Sequence, residues 1–302
     1  VDEIFRPSPI ILVALGIVAL LAIIATFDDL GRKVIAPANN QQTTVTNATY
    51  PQEKKADSSS PDTMIRTIRG DTRSLSGKAL TQWQNWRQQI ETLAAQYPLT
   101  VYLGGPPGKK AIGLTFDDGP DQQNTPKILE ILRQADVRAT FFFLGSSAER
   151  YPDTVKKTAS YGHLIGSHSF THPRLSQSST PTIAQEITKT DDILHRITGR
   201  RPALFRPPYG DANNTVIDEL MKKDKYTIFW SFDTFDWQQK KAEEITAYLT
   251  EHVQPGDIIL MHSAYNGKAT VQALPKIIEI LKNDGYEFYT VAEMLGVQGY
   301  RE

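Results

Sequence analysis

The chain has 302 residues, 40% of them apolar, enough for one packed domain of up to about 200 residues plus additional segments. With 33 basic and 34 acidic side chains its formal net charge is −1, which provides no field for drawing in nucleic acid or another polyanion. It has no cysteine, which excludes disulfides, thiolate metal sites and a cysteine nucleophile.

From Ile10 to Phe27 the chain carries no charge and is apolar on every face, which disfavours a buried core helix. The run is close to the lower limit for crossing a bilayer, where a helix needs about 20 apolar residues. Asp2 and Glu3 stand beside a single Arg6 ahead of it and no Ala-x-Ala site follows, so residues 1–27 are expected to be an uncleaved anchor rather than a cleaved signal peptide. Arg32 and Lys33 outnumber Arg6, a count that by itself argues against an external domain. Residues 28–77 are rich in Asn, Gln, Thr, Ser, Pro and charge, and are expected to form a flexible linker. In 78–109, Leu80, Trp83, Trp86, Ile90, Leu93 and Tyr97 recur at helical spacing before Pro98, which predicts an amphipathic helix and a connector. Trp83 and Trp86 are either a platform for stacking sugars or packing against the next domain; an aromatic stripe at this spacing favours packing.

In 110–302 short β-rich runs alternate with helical ones. Strands are expected at Ala111–Phe116, Ala139–Phe143, Leu164–Gly166, Leu204–Phe205, Thr227–Phe232, Ile258–Met261 and Glu287–Thr290. Helices are expected at Thr125–Gln134, Asp153–Ser160, Thr182–Thr198, Thr215–Lys223, Ala242–Val253 and Val271–Asn283. Such alternation implies parallel strands joined by crossover helices, hence an α/β sheet or barrel.

The chemically unusual residues stand where the strands end: Asp117-Asp118-Gly119-Pro120, His168-Ser169-Phe170-Thr171-His172, Arg206-Pro207-Pro208-Tyr209, Asp233-Thr234-Phe235-Asp236-Trp237 and Leu260-Met261-His262. In a parallel barrel these ends open on one face, where catalytic groups gather. His168 and His172 with the carboxylate of Asp118 suit a divalent ion that keeps positions open for water and substrate. A lone pair of histidines four apart is more often a loop-capping arrangement; Asp117-Asp118 on a neighbouring strand end reverses that judgement. Asp117 is then free to act as general base on a water acidified by the ion. Arg206 is a fixed positive charge available to pair with it. His163, His195 and His252 lack such company and are read as structural or surface residues.

The order T-F-D-D-G-P, H-S-x-x-H, R-P-P-Y, D-x-x-D-W and L-x-H resembles the polysaccharide deacetylases of carbohydrate esterase family 4, over Lys110 to Leu295. The resemblance implies a distorted barrel of seven parallel strands. It implies that Asp118, His168 and His172 bind a metal, usually zinc, with cobalt or nickel as alternatives, and that Asp117 is the base. It implies further that Arg206 positions that base, that His262 is the acid and that Asp236 tunes it. Trp237 and Leu260 would line a pocket for the acetyl methyl, and the backbone N–H of Tyr209 would help hold the oxyanion.

The expected activity is therefore metal-dependent removal of N-acetyl groups from an extracytoplasmic glycan, with peptidoglycan first and chitin-type oligomers, poly-N-acetylglucosamine and acetylxylan as alternatives. Two histidines and a carboxylate also describe non-haem iron oxygenases, but these leave His262, Asp236 and Arg206 unexplained. A silent, tethered glycan-binding barrel is the third reading. No nucleic-acid or obligate protein partner is expected, and the location expected is the cell membrane with the catalytic domain outside.

Overall fold

The computed structural model describes residues 66–238, 240–264 and 267–301. The anchor expected over 1–27 and the linker up to residue 65 lie outside the described residues. Among the described residues no helix is long and apolar enough to cross a membrane.

The strands are β1 (Arg69–Gly70), β2 (Val101–Tyr102), β3 (Ala111–Asp117), β4 (Thr140–Phe143), β5 (Leu164–Ser167), β6 (Arg201–Pro202), β7 (Leu204–Phe205), β8 (Tyr226–Ile228), β9 (Phe232–Asp233), β10 (Ile258–His262), β11 (Glu287–Phe288) and β12 (Tyr300–Arg301). The main sheet runs β1-β9-β10-β3-β4-β5-β7-β8-β2, with β11 also on β3, and its pairings are parallel. β6 and β12 form a separate antiparallel pair. The expected strand Thr227–Phe232 is split: β8 belongs to one flank of the sheet and β9 to the other. Phe229 N–H donates to Tyr102 O at 2.9 Å, and Ser231 N–H, two residues on, donates to Ile258 O at 3.1 Å. The chain thus steps from flank to flank within residues 229–231, and the sheet curls into a distorted parallel barrel with helices around it.

Alternation along the strands separates two layers. On β3, Ile112, Leu114 and Phe116 face the outer layer, where they join Ile128, Leu129 and Leu132 of one helix and Leu274, Ile277 and Ile278 of another. Thr115 and Asp117 take the opposite, interior face. On β10, Ile259 and Met261 join the outer cluster while Ile258 and Leu260 join the inner one. Full burial of each such side chain contributes about 1.5–3 kcal/mol.

The helices are α1 (Gly77–Gln96), α2 (Thr125–Gln134), α3 (Gly145–Arg150), α4 (Pro152–Ser160), α5 (Thr180–Thr198), α6 (Asn214–Met221), α7 (Ala242–His252), α8 (Gly267–Asn283) and α9 (Val291–Leu295). Their limits follow local chemistry. Ser179 and Asn213 accept hydrogen bonds from the N–H groups of Thr182 and Val216 at the starts of α5 and α6. Gly199, at φ 73°, ends α5 in the left-handed conformation. Thr290 and Glu293 form a reciprocal capping box on α9.

Residues 66–77, expected as the end of the linker, are instead built into the domain. Ile68 is fully buried, β1 pairs with β9, and Arg69 Nη2 meets both oxygens of Asp257 at 2.5 and 2.6 Å. Arg66 donates to the carbonyls of Gly105 and Pro255. Polar composition concealed this because the contacts are made by two arginines to distant backbone and carboxylate oxygens.

Candidate active site

The C-terminal ends of β3, β5, β7, β9 and β10 open on a pocket of 430 Å³. Asp117, Asp118, His168, His172, Tyr209, Trp237, Leu260 and His262 all line it. The segments that the strand-end motifs mark in the sequence therefore meet at one place.

Asp118, one residue beyond β3, has φ 70°, and His172 has φ 66°. Such left-handed backbone costs a non-glycine residue on the order of 1–3 kcal/mol, and it recurs where a site needs side chains aimed against the local preference. Asp118 Oδ1 lies 3.4 Å from His168 Nε2 and 3.2 Å from His172 Nε2. One ligand atom from each of the three residues lies within 4.8 Å of the others. His168 Nδ1 donates to the carbonyl of Arg206 at 2.7 Å, which fixes the ring with Nε2 turned towards Asp118. Asp118 Oδ1 is itself buried and accepts no hydrogen bond. Two imidazole nitrogens and a carboxylate oxygen converging on one point fit a divalent cation. Burial alone would raise the Asp118 carboxyl, but the His168 and His172 imidazoles hold it well below the usual carboxylate range.

Asp117 faces the same point from the barrel interior, its Oδ2 3.8 Å from His168 Nε2. Its other oxygen accepts from Arg206 Nη1 at 2.7 Å. Arg206 is fully buried and its donors are spread over four acceptors: Asp117, Thr115 Oγ1 at 2.8 Å, Ile228 O at 3.2 Å and Phe229 O at 2.9 Å. Its guanidinium carbon lies 4.2 Å from the Phe142 ring centre.

His262, at the end of β10, is paired across the strand with Asp117. Its Nδ1 is 2.8 Å from Asp236 Oδ1, and its backbone N–H donates to Asp236 Oδ2 at 2.8 Å. Thr270 of α8 donates to that same Oδ2 at 2.5 Å. Burial pulls the imidazole pKa down, but Asp236 outweighs it, with Asp118 and Asp117 adding to the effect, and the value rises to about 10. Asp233 is pushed up to about 6 by burial, opposed by the N–H of Phe235 donating to its Oδ1.

Tyr209 stands in a tight turn at φ 60°, with its ring 4.4 Å from that of His172. Trp237 is 42% exposed and stacks on Phe235 at 5.4 Å. Trp83 and Trp86 pack against the barrel, as the packing reading of α1 expected, and they also line the pocket. His163 is buried with its ring accepting from Ala139 N–H, and burial lowers it to about 4, so it is structural. Two supporting residues escape the sequence reading. Thr115 gives no signal in a β-rich run, and Thr270 sits in the first turn of a helix otherwise far from the strand ends.

Residues 104–229 match the family model described as polysaccharide deacetylase. A peptidoglycan-N-acetylglucosamine deacetylase of Bacillus cereus is 42% identical over 194 residues, covering 64% of this chain and 70% of that protein. The peptidoglycan-N-acetylmuramic acid deacetylase PdaC of Bacillus subtilis is 36% identical over 197 residues, covering 65% of this chain and 41% of that protein. Among solved structures, the Bc1960 peptidoglycan N-acetylglucosamine deacetylase in complex with 4-naphthalen-1-yl-N-oxidanyl-benzamide is 38% identical with a TM-score of 0.67. The match covers 69% of this chain and 98% of that one.

Proposed function

The chain belongs to the polysaccharide deacetylase family, and from that premise we propose that it hydrolyses the N-acetyl groups of peptidoglycan amino sugars. The observation that carries the reading is the pairing of opposite roles around one point. Asp117 is tied to a buried arginine, His262 is tied to a buried aspartate, and the Asp118–His168–His172 cluster lies beside Asp117, whose Oδ2 is 3.8 Å from His168 Nε2.

Asp118, His168 and His172 would hold a divalent ion, zinc first. Such an ion supplies Lewis-acid polarisation of the acetamide carbonyl and makes water acidic enough to deprotonate near neutral pH. Asp117 accepts the proton of the attacking water, with Arg206 holding its far oxygen so that the other faces the reacting centre. The tetrahedral oxyanion that follows is met by the backbone N–H of Tyr209. His262 delivers a proton to the departing nitrogen, because expulsion of an amide nitrogen as an anion is prohibitive. Asp236 keeps the imidazole protonated and correctly turned, and Thr270 fixes Asp236. Leu260 and Trp237 give the acetyl methyl an apolar wall.

The peptidoglycan assignment draws on the relatives' names together with the charge-free run at Ile10–Phe27, which suits a protein tethered to the membrane with its catalytic domain outside. The test is mass spectrometry of purified wall glycan and of chitooligomers after incubation with the metal-loaded protein. Loss of acetyl mass from wall glycan is the expected result; loss only from chitooligomers would move the substrate, and none from either glycan would end the reading.

A further inference from the structure

The groups used by the reaction all lie on the barrel, yet one wall of the pocket comes from α1, which precedes the matched region 104–229. Trp86 is the fixed part of this wall. Its ring stacks on Trp230 at 5.4 Å and its indole N–H donates to Gly210 O at 2.9 Å. Gly210 has φ 61°, and a Cβ there would sit 2.8 Å from Trp86, so only glycine allows the approach. Because Gly210 follows Tyr209, α1 is fastened to the turn that carries a pocket residue.

Trp83 lies one turn earlier on the same face of α1 and is only half buried, the helix being seated by Ile90, Leu93 and Ala94 further along. Its ring is 6.5 Å from Phe235, which stacks in turn on the exposed ring of Trp237. The guanidinium of Arg87 lies 5.3 Å from the Trp83 ring. Aromatic surface therefore runs from α1 to the motif that carries Asp236. At 430 Å³ the pocket is far larger than an acetyl group requires and falls within the range of about 300–1,000 Å³ typical of small-molecule sites.

A pyranose ring presents C–H groups on its faces and hydroxyls at its edge, so it stacks on an indole while its hydroxyls stay in water. We propose that α1 forms a subsite for the sugar unit adjoining the one that loses its acetyl group, with Trp83 as the stacking surface. The chain then prefers a glycan oligomer to a single amino sugar. The proposal rests on the deacetylase reading for the identity of the reacting unit, and on α1 alone for the neighbouring one.

The test uses the full metal-loaded chain with N-acetylglucosamine and its tetramer, measuring acetate release and, by calorimetry, tetramer binding. In Trp83→Ala the tetramer-to-monomer ratio of kcat/KM and the tetramer affinity should both fall on the order of five- to tenfold, while Trp83→Phe keeps most of each. If alanine unfolds the protein, Trp83→Leu, which fills space without an aromatic face, is read in its place. An unchanged ratio and affinity in the folded variant would overturn the subsite. Tetramer binding that depends on Trp83 with no acetate released would instead uphold the subsite and remove the deacetylase reading.

Discussion

Arg206 Nη1 donates to Asp117 Oδ1 at 2.7 Å while Nη2 of the same side chain donates to Phe229 O at 2.9 Å. One buried guanidinium thus orients the proposed base and also ties the point where the chain crosses between the two flanks of the sheet. In the proposed mechanism, activity and barrel closure meet in a single residue.

Arg206→Ala should therefore damage both. It leaves Asp117 buried without its counter-charge, which costs about 3–5 kcal/mol, and removes the side-chain donors to Ile228 O and Phe229 O. Arg206→Lys restores the charge but not the fork of donors, and should recover part of the melting temperature with little of kcat. Thermal melts and acetate release on the same preparations check this. Equal loss in the two variants would mean that charge without the fork of donors contributes nothing, and full recovery in lysine would mean that charge alone matters.

The division of labour between the adjacent aspartates separates metal from proton transfer. His168→Ala/His172→Ala should lose the bound ion and all activity while keeping its circular dichroism spectrum, since the layered core does not depend on the ion. Asp117→Asn should retain the ion and lose a factor of about 10²–10⁴ in kcat, the usual contribution of general acid–base catalysis. Metal analysis beside kinetics decides; a full ion content in the double histidine variant would sink the assignment.

The His262–Asp236 pair predicts the alkaline limb of the pH–rate profile. Folding raises the imidazole from 6.5 to about 10, so the proton is held through neutral pH and lost as pH rises towards that value. A bound dication nearby lowers the midpoint without changing the direction. Asp236→Asn removes the leading cause of the rise and should move the alkaline limb to lower pH. By linkage, the stability that this pair contributes to the metal-free chain is complete below about pH 6.5 and disappears as pH climbs through about 10. Profiles of kcat/KM and melts across that window test both statements; a limb that stays put in Asp236→Asn, with near-normal turnover in His262→Ala, would take His262 out of the mechanism.

For location, protease added to intact spheroplasts should digest the catalytic domain. Long domains cross the membrane largely regardless of the few basic residues flanking an anchor, so Arg32 and Lys33 do not outweigh a wall substrate. Full protection under those conditions would mean an inverted orientation.

Asp117, Asp118, His168, His172, Arg206 and His262 could be picked out in the sequence because charged or imidazole side chains directly after apolar β-rich runs have few structural uses. Regular alternation likewise marked β3, β4, β5 and β10 to within a residue or two. The crossing at residues 229–231 could not be read, because Phe229 and Trp230 are as β-prone as the strands they separate. β1 was hidden for a different reason: a dipeptide strand has no period, and its partner β9 is far along the chain. Thr270 shows its role only through Asp236, since a threonine early in a helix looks like any other.

The burial of Ile68 and the grip of Arg69 on Asp257 bear on where a soluble fragment can begin. Cutting the gene at residue 75, just ahead of α1, would discard β1 and Asp71, which pairs with Lys240 close after the Asp236-Trp237 motif. Asp257 would be left in the interior with Ser231 and without its arginine. The smallest faithful fragment starts upstream of Arg66, and a protease that nicks the chain just beyond Gly70 would release not an intact enzyme but a barrel missing its edge strand.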